Sequence, residues 1–363
     1  MPGTEPRPLG KLLLLTLSSL LTMALALEVV FRTLVPASDE PYAFYDAADE
    51  LLRYDATRHR DGVYTVGGLA RQRSRWHVNN RGWPSAIDYL PREQRRLPLV
   101  AIIGDSFVEA LNVDPDRSVA ARLRERLAGR YDVYSFGMSG APLSQYLQEA
   151  RYVRRHFQPE VLVFVLVHND FHESFRPLSV HDHFLHVREA GDRFAEEDPE
   201  PYRPSAILRL VARSALVRYV VLNLKADTIR KAWFRARAGQ PGPEPRKARA
   251  EIPPAVQGAT AFLIERILRE CAGAHVLFVV DGPRREIYAR TVAGSDGERY
   301  NRFLHAECDR LGCPILDMTD TFRASYERDR RRFETSYDYH WDAHGHEVVA
   351  GALAAWLARQ EWR

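Results

Sequence analysis

The stretch LVAIIGDS, residues 99–106, joins an unbroken apolar run to a glycine, an aspartate and a serine. Such an aliphatic run is typical of a strand buried on both faces of a parallel sheet. Gly104 permits a tight turn at the end of this strand, and a helical pattern follows soon after it. Ser106 is therefore predicted to be exposed and rigidly held, as a nucleophile must be. An ordinary helix N-cap would place a serine in the same position.

Apolar segments of this kind recur after residue 98 and alternate with segments of helical periodicity. The alternation is typical of a parallel sheet covered by helices. It predicts an α/β fold, a three-layer α/β/α sandwich around a parallel sheet of about five strands. The predicted strands are 98–103, 131–136, 160–167, 275–280 and 314–318. The predicted helices are 116–129, 143–157, 255–272, 297–312 and 343–360.

Two long stretches lie outside this alternation. Residues 36–97 mix polar, aromatic and turn residues and are predicted to be an N-terminal extension that packs on the later core. Residues 171–254, which include the apolar segment SALVRYVVLNL (214–224), are predicted to be an irregular insertion in a domain spanning 98–363. Since open α/β sheets bind ligands at the carboxyl ends of their strands, the insertion is expected to form a wall or lid of the site.

The N-terminal segment is long and apolar enough to cross a bilayer. A transmembrane signal anchor is predicted over 12–35, where Glu28 is the one charged residue before Arg32. Basic residues lie in the predicted cytoplasmic tail, 1–11, and acidic residues follow the segment, so the rest of the chain is expected outside the cytoplasm at the cell membrane. A signal peptide cleaved after the small residues of 24–26 is the alternative, and it exports the same domain.

The charge balance and the cysteine count exclude several partners. The 51 basic and 48 acidic residues leave a net charge of +3, so a nucleic-acid partner is not expected. The three cysteines, Cys271, Cys308 and Cys313, are too few for a disulfide framework, and their spacing does not fit a zinc site. Buried thiols are predicted, with oxidation of Cys308 and Cys313 to a disulfide as the alternative.

Three further blocks carry polar residues in positions that suit catalysis. In DYHW, 338–341, an aspartate and a histidine two residues apart on a loop can orient one imidazole through its other nitrogen. GMSG, 137–140, and HND, 168–170, each end a predicted strand, where a glycine N–H and an asparagine amide can stabilise a developing oxyanion. Taken singly, the last two blocks could be turns and the first a helix cap or metal loop.

Other polar residues near these blocks are assigned structural roles. Asp105 and Asp170 are predicted to fix loops by accepting backbone N–H bonds, and His344 and His346 to cap or pack the last helix. No metal site and no cofactor are expected. The histidines of the insertion are predicted to be solvated loop residues: His181, His183 and His186.

Together, GDSF, GMSG, HND and DYHW resemble the sequence blocks of the SGNH (GDSL-type) hydrolase family, in the family's order. The resemblance implies a flavodoxin-like sheet with helices on both sides. It also implies that Ser106 is the nucleophile, His340 the general base and Asp338 its orienting carboxylate. The implied oxyanion hole consists of the Ser106 amide, Gly140 and Asn169. Substrates would be small-molecule or glycan esters.

Two positions depart from the family pattern. Val167 stands where the third block commonly has glycine. The last block has the spacing Asp-x-His-Trp instead of Asp-x-x-His, which is similar to membrane-associated members and to alginate O-acetyltransferase-like proteins. The resemblance therefore implies a serine esterase acting on O-acyl bonds, with O-acetyl transfer to an envelope polysaccharide as the alternative. A catalytically silent glycan-binding or assembly protein is the alternative of another class.

Overall fold

A five-stranded parallel sheet lies at the centre of the computed structural model, which describes residues 9–205, 209, 212–224, 251–335 and 337–360. The strands are β1 (Ala43–Asp46), β2 (Leu51–Tyr54), β3 (Asp61–Val66), β4 (Gln72–His77), β5 (Leu99–Gly104), β6 (Asp132–Gly137), β7 (Val161–Leu166), β8 (His186–Ala190), β9 (Arg193–Glu197), β10 (His275–Val280) and β11 (Ile315–Asp317). The helices are α1 (Leu9–Thr33), α2 (Ser106–Glu109), α3 (Val119–Arg126), α4 (Leu143–Phe157), α5 (Asp170–Glu173), α6 (Ala215–Arg218), α7 (Pro254–Glu270), α8 (Arg284–Ala289), α9 (Asp296–Leu311), α10 (Met318–Asp329) and α11 (Ala343–Ala358).

The strand order of the sheet is β6-β5-β7-β10-β11, and all neighbouring strands are parallel. Numbered along the chain, these five strands follow the order 2-1-3-4-5, which is the flavodoxin-like order. The predicted α/β fold is confirmed, and each strand lies within one residue of its predicted bounds. Because the order reverses between β5 and β7, the crevice in which such sheets bind ligands lies at the carboxyl ends of these two strands.

The two faces of the sheet pack against different helices. Val100, Ile102 and Val163 belong to a core that also contains buried residues of α3, α10 and α11. The intervening strand residues, such as Ile103 and Phe164, point to the opposite face, where α4 packs on β5 and β7, and α7 packs against α4. The sheet is therefore covered by helices on both sides, as predicted.

Some elements differ from their predicted extent. The predicted helix 116–129 is shorter, because the Ser118 side chain accepts the Ala121 N–H at 3.3 Å and starts α3 there. Helix α10 was not predicted; it begins directly after β11, where Asp317 accepts the Thr319 N–H at 2.8 Å. The insertion is not irregular throughout its described part, since β8 and β9 form an antiparallel hairpin around Gly191, whose φ is +69°.

The described residues fall into two compact units. The first is formed within 1–40, 63–73 and 204–242, and contains α1 and α6. The second is formed within 41–62, 74–203 and 243–363, and contains the sheet and all four sequence blocks. Residues 1–8 of the predicted cytoplasmic tail, and residues 206–208, 210–211 and 225–250 of the predicted insertion, lie outside the described residues.

Helix α1 is the one described helix that is long and apolar enough to cross a membrane. It has 25 residues, none of which is buried. A membrane anchor and a signal sequence both satisfy this criterion.

In the second unit, all three cysteines are free and buried, as small apolar side chains are.

His346 is fully buried in α11, which predicts a specific acid sensitivity. The Val119 N–H donates to its Nδ1 at 3.2 Å, and burial lowers the imidazole pKa from 6.5 to about 3. The unfolded chain takes up a proton below pH 6.5 that the folded chain resists. His346 therefore does not lower the free energy of unfolding above pH 6.5, but lowers it progressively as the pH falls from 6.5 towards 3. At about pH 5 this contribution is a loss of about 2 kcal/mol.

His346→Asn keeps an acceptor for the Val119 N–H but removes the titrating group. We expect the thermal unfolding midpoint of the variant to fall less steeply than that of the parent chain between about pH 7 and about pH 5. The measurement is the midpoint as a function of pH for both proteins. Equal slopes would show that His346 does not titrate on unfolding.

Candidate active site

Ser106 is the first residue of α2, directly after β5 and the N-cap residue Asp105. The Asp105 carboxylate accepts the Phe107 N–H at 2.9 Å, which closes the turn and confirms the structural role predicted for it. At Gly104 a β-carbon would lie 2.5 Å from the Val108 side chain, so only glycine lets α2 pack this close to the strand end. The chain thus presents Ser106 at the carboxyl edge of the sheet.

The structure joins Ser106, His340 and Asp338 in one chain of hydrogen bonds. Ser106 Oγ lies 2.7 Å from His340 Nε2, and His340 Nδ1 is hydrogen-bonded to the Asp338 carboxylate. The Asp338 carboxylate also accepts the backbone N–H of His340 at 3.1 Å, and its side chain is only 3% exposed. An ionised carboxylate in this position holds the proton on Nδ1 and leaves Nε2 free to accept the serine proton.

The loop that carries His340 is fixed by the residue after it. Trp341 is fully buried, and its indole N–H donates to Asp281 at 3.0 Å. The Trp341 carbonyl accepts the Asn112 amide at 2.8 Å, and the Phe107 ring packs edge-on against the indole at 5.1 Å between centroids. Asp281 is held in turn by Arg284 at 3.1 Å. The position of the imidazole is therefore determined by buried contacts.

Two buried carboxyls near Ser106 have raised pKa values. Burial raises the pKa of Asp105 to about 6, and the charge of Asp281 adds to this effect. Burial also raises the pKa of Asp170 well above its ordinary value, with the charge of Asp105 as the next cause. Asp170 accepts the Val167 N–H and the Tyr146 hydroxyl, both at 2.9 Å, so its predicted loop-fixing role is confirmed. The surroundings of Ser106 are thus poorly solvated, which strengthens polar interactions there.

The two other residues predicted for the oxyanion hole, Gly140 and Asn169, lie at the same edge of the sheet. Gly140 follows β6 and has a φ of +78°, which glycine adopts without strain. The Asn169 side chain is exposed, and its amide donates to Glu173 at 3.3 Å. Within the described residues, the hydrogen-bonded chain of Ser106, His340 and Asp338 does not include Asn169.

A buried carboxylate outside the four sequence blocks, which was not predicted as a site residue, positions the Gly140 loop. Glu109 accepts the Ser139 N–H at 3.3 Å and is also hydrogen-bonded to the Ser139 hydroxyl and to the Tyr54 hydroxyl. Its place three residues after Ser106, within the same short helix, was the available signal. Asp281 was missed as well, although it follows β10 directly, at the edge where the other site residues lie.

The predicted solvated state of the insertion histidines is partly wrong. His186 is 2% exposed because it begins β8, whose first two residues are buried, and burial lowers the pKa of His183 and of His186 to about 4. His181 is exposed, and its imidazole lies 3.2 Å from where a β-carbon of Gly140 would stand. No group of three His, Cys, Asp or Glu side chains within the described ranges is arranged to hold a metal ion.

A cavity of about 720 Å³ opens beside the loop that carries His340. It reaches Asp338 and Tyr339 but not Ser106. Tyrosine and arginine are prominent in its lining: Tyr288, Tyr326, Tyr337, Tyr339, Arg284, Arg285 and Arg332. Such a cavity can accept the part of a substrate that lies beyond the reacting bond.

The fold and the site define a flavodoxin-like α/β protein whose serine, histidine and aspartate meet at the carboxyl edge of the sheet. The chain belongs to the GDSL-like Lipase/Acylhydrolase family, whose profile matches residues 102–348. Membership of this hydrolase family supports an enzyme that acts on esters. A comparison with curated proteins found no match.

Solved structures that are similar to this chain include TesA and two esterases. The structure of TesA shares 14% identity over 71% of this chain and 97% of its own, with a TM-score of 0.38. A carbohydrate acetylesterase family member from Sinorhizobium meliloti shares 12% identity over 72% of this chain and 97% of its own, with a TM-score of 0.36. The inhibitor-bound M. smegmatis aryl esterase shares 10% identity over 72% and 98%, with a TM-score of 0.38.

Proposed function

We propose that the chain is a serine esterase that cleaves O-acyl bonds through Ser106, His340 and Asp338. The observation that supports this function is the unbroken hydrogen-bonded chain from the buried Asp338 carboxylate through His340 to the Ser106 hydroxyl. A hydroxyl is a weak nucleophile, and a base within hydrogen-bonding distance is what activates it. Membership of a lipase and acylhydrolase family supports the same reaction type.

The proposed reaction has two halves. Ser106 Oγ bonds to the ester carbonyl carbon while His340 Nε2 takes the hydroxyl proton, and Asp338 stabilises the imidazolium. The carbonyl electron pair moves to oxygen, then returns as the bond to the alcohol oxygen breaks, and His340 protonates that leaving oxygen. Water next attacks the acyl-enzyme, with His340 again taking the proton, and the acid is released as Ser106 recovers its hydrogen.

The developing oxyanion would be stabilised by the backbone N–H groups of Ser106 and Gly140 and by the Asn169 amide. Each such donor contributes about 3 kcal/mol to transition-state stabilisation. The Asn169 amide donates to Glu173 in the structure, so it would turn from Glu173 towards the substrate. This exchange would accompany the attack of Ser106, because the negatively charged oxygen that accepts the amide forms only in that step.

A glycan ester is the substrate class that the neighbouring cavity favours. Tyrosine rings offer apolar faces with a polar tip, and arginine offers several N–H donors, a combination suited to sugar rings and their hydroxyls. The Asp-x-His-Trp spacing of 338–341 supports the second candidate, O-acetyl transfer to an envelope polysaccharide. Transfer and hydrolysis share the acyl-enzyme and differ only in whether a sugar hydroxyl or water attacks it.

We also propose that α1 is retained as a single-pass anchor, with the domain 98–363 outside the cytoplasm. Glu28, one turn beyond Leu25 of the alternative cleavage region, accepts the Ser214 hydroxyl at 2.8 Å and the Ala215 and Leu216 N–H groups at 2.9 Å. The helix is therefore part of a folded unit at the point where a signal peptidase would need an accessible chain. These contacts support retention.

The proposed function is tested by covalent labelling of the serine that would carry the acyl group. The full chain in detergent is treated with a fluorescent alkyl fluorophosphonate, which phosphonylates activated serines, and the labelled peptide is identified by mass spectrometry. We expect label on Ser106 in the folded chain and none after denaturation. Absence of label, together with glycan binding and no ester turnover, would favour the silent binding protein. Acetylated glycan in place of free acetate, from an acetyl donor and an acceptor glycan, would favour transfer.

A further inference from the structure

The segment 214–224, which has no role in the proposed reaction, buries a polar side chain, Asn223. It forms α6 and a π-helical turn that follows it over Tyr219–Asn223. Its buried side chains recur at every fourth position: Ala215, Tyr219 and Asn223. The buried Asn223 amide donates to Thr65 at 2.7 Å and accepts the Ser38 N–H at 2.8 Å. The inward stripe is thus held partly by hydrogen bonds.

The outward side of the same segment is apolar. Val220 is 39% exposed, Val221 42% and Leu224 37%. A helix on a water-facing surface normally has the opposite arrangement, with its aliphatic side chains turned inward and its polar ones turned outward. Here an asparagine is buried while two valines and a leucine are exposed, an arrangement suited to an apolar environment outside the protein.

Two neighbouring turns add exposed leucines beside this segment. The Leu69 N–H donates to the Tyr219 hydroxyl at 3.1 Å, and the Leu69 side chain is 71% exposed. The Phe31 ring of α1 stacks on the Tyr219 ring at 3.8 Å between centroids. Leu34, the residue after α1, is 75% exposed. Three separate stretches of chain therefore meet at Tyr219, and each exposes aliphatic side chains.

We infer that Leu34, Leu69, Val220, Val221 and Leu224 form a membrane-contacting platform that enters the bilayer interface around the outer end of α1. The inference rests on the proposed anchor. Its occupant is lipid because the platform is continuous with α1, which exposes leucines from Leu9 to Leu25. Where α1 enters the bilayer, the residues just beyond its end must lie at the interface.

The charges beside the platform fit this location. Glu28 is the charged residue that would lie deepest. Its carboxylate forms an ion pair with the Arg32 guanidinium at 2.6 Å and accepts the N-terminal N–H groups of α6. Arg213 is exposed, and its backbone carbonyl accepts an N–H of Arg32 at 2.8 Å, so two arginine residues are adjacent in this part of the unit. Arginines at this depth can reach lipid phosphates while their stems stay in the apolar layer.

The test measures contact between the platform and lipid acyl chains in the full chain. The protein is reconstituted in phosphatidylcholine–phosphatidylglycerol vesicles with and without bromine on the acyl chains, since bromine quenches tryptophan on contact. Val220→Trp and Leu69→Trp report on the platform, and Leu21→Trp reports on α1. Leu90→Trp is the matched control, because Leu90 is 43% exposed in the other unit. Emission of the added tryptophan is obtained by subtracting the parent chain.

We expect the added emission at positions 69, 220 and 21 to fall in brominated vesicles and that at position 90 to stay unchanged. Quenching at 21 but not at 69 and 220 would overturn the platform while leaving the anchor in place; a partner protein or a second copy would then cover this surface. No quenching at 21 would overturn the anchor and the platform together. Equal quenching at 90 would overturn the platform as a distinct surface.

Discussion

Ser106→Ala is expected to lower kcat for p-nitrophenyl acetate by about 10⁴-fold or more, because the variant has no hydroxyl to form the acyl-enzyme. The loss should appear in kcat with little change in thermal stability, since among the described residues the Ser106 hydroxyl is hydrogen-bonded to His340 and, at 3.5 Å, to Asp105. The assay follows p-nitrophenolate release by the full chain in detergent, with the unfolding midpoint measured in parallel.

Ser179→Ala is the matched control for this variant. Ser179 is also a partly buried serine in the second unit, but its hydroxyl contacts Arg176 and no residue of the site. We expect parental turnover from it. Equal turnover in the parent and both variants would remove Ser106 from the mechanism, and a different serine would have to carry any hydrolysis observed.

Asp338→Asn is expected to lower kcat by about 10³–10⁴-fold while KM changes little. The substitution keeps the size of the side chain but removes its charge, so the proton is no longer held on His340 Nδ1 and the imidazolium formed on serine attack is no longer stabilised. Because the Asp338 side chain is 3% exposed, solvent does not replace the lost charge. Steady-state kinetics over a range of substrate concentrations give kcat and KM separately.

Asp342→Asn provides the comparison for this second variant. Asp342 lies four residues further along and accepts the His344 and Gly345 N–H groups, both at 2.9 Å, as the N-cap of α11. Asparagine is an equally good N-cap residue, so this variant should keep parental kinetics. A loss of equal size in both variants would indicate that the loop, and not the charge at Asp338, is what the reaction needs.

The resemblance of the sequence blocks to one family was enough to predict that Ser106, His340 and Asp338 would meet. Ser106 and His340 are 234 positions apart; Ser106 directly follows β5, whereas His340 lies in the loop between α10 and α11. The strands could be predicted because residues buried on both faces of a sheet leave long apolar runs, as in Val161–Leu166. That regularity places Ser106 at the end of β5, whereas its pairing with His340 was expected from the resemblance of the blocks to one family.

Side-chain pairing inside the site could not be predicted in the same way. Glu109 looks like a solvated helix residue in the sequence, and only the packing of α2 against β6 shows that it is buried against Ser139. The Asn169 amide has one partner in Glu173, and no local pattern indicates which way an amide turns. Likewise, the apolar sequence of 214–224 does not indicate that Val220 and Val221 are exposed. Their orientation depends on the residues that form hydrogen bonds with the buried Asn223 side chain.

The hydrogen bond between Tyr54 and Glu109 has a consequence for how this enzyme can be shortened or recombined. Tyr54 ends β2, in the stretch before the sheet begins, yet its hydroxyl reaches the carboxylate that holds the Gly140 loop. A gene fragment that starts at β5, the first strand of the five-stranded sheet, would encode every family block and still omit one support of the Gly140 loop. The boundary of the functional module therefore lies upstream of the boundary that the family profile marks.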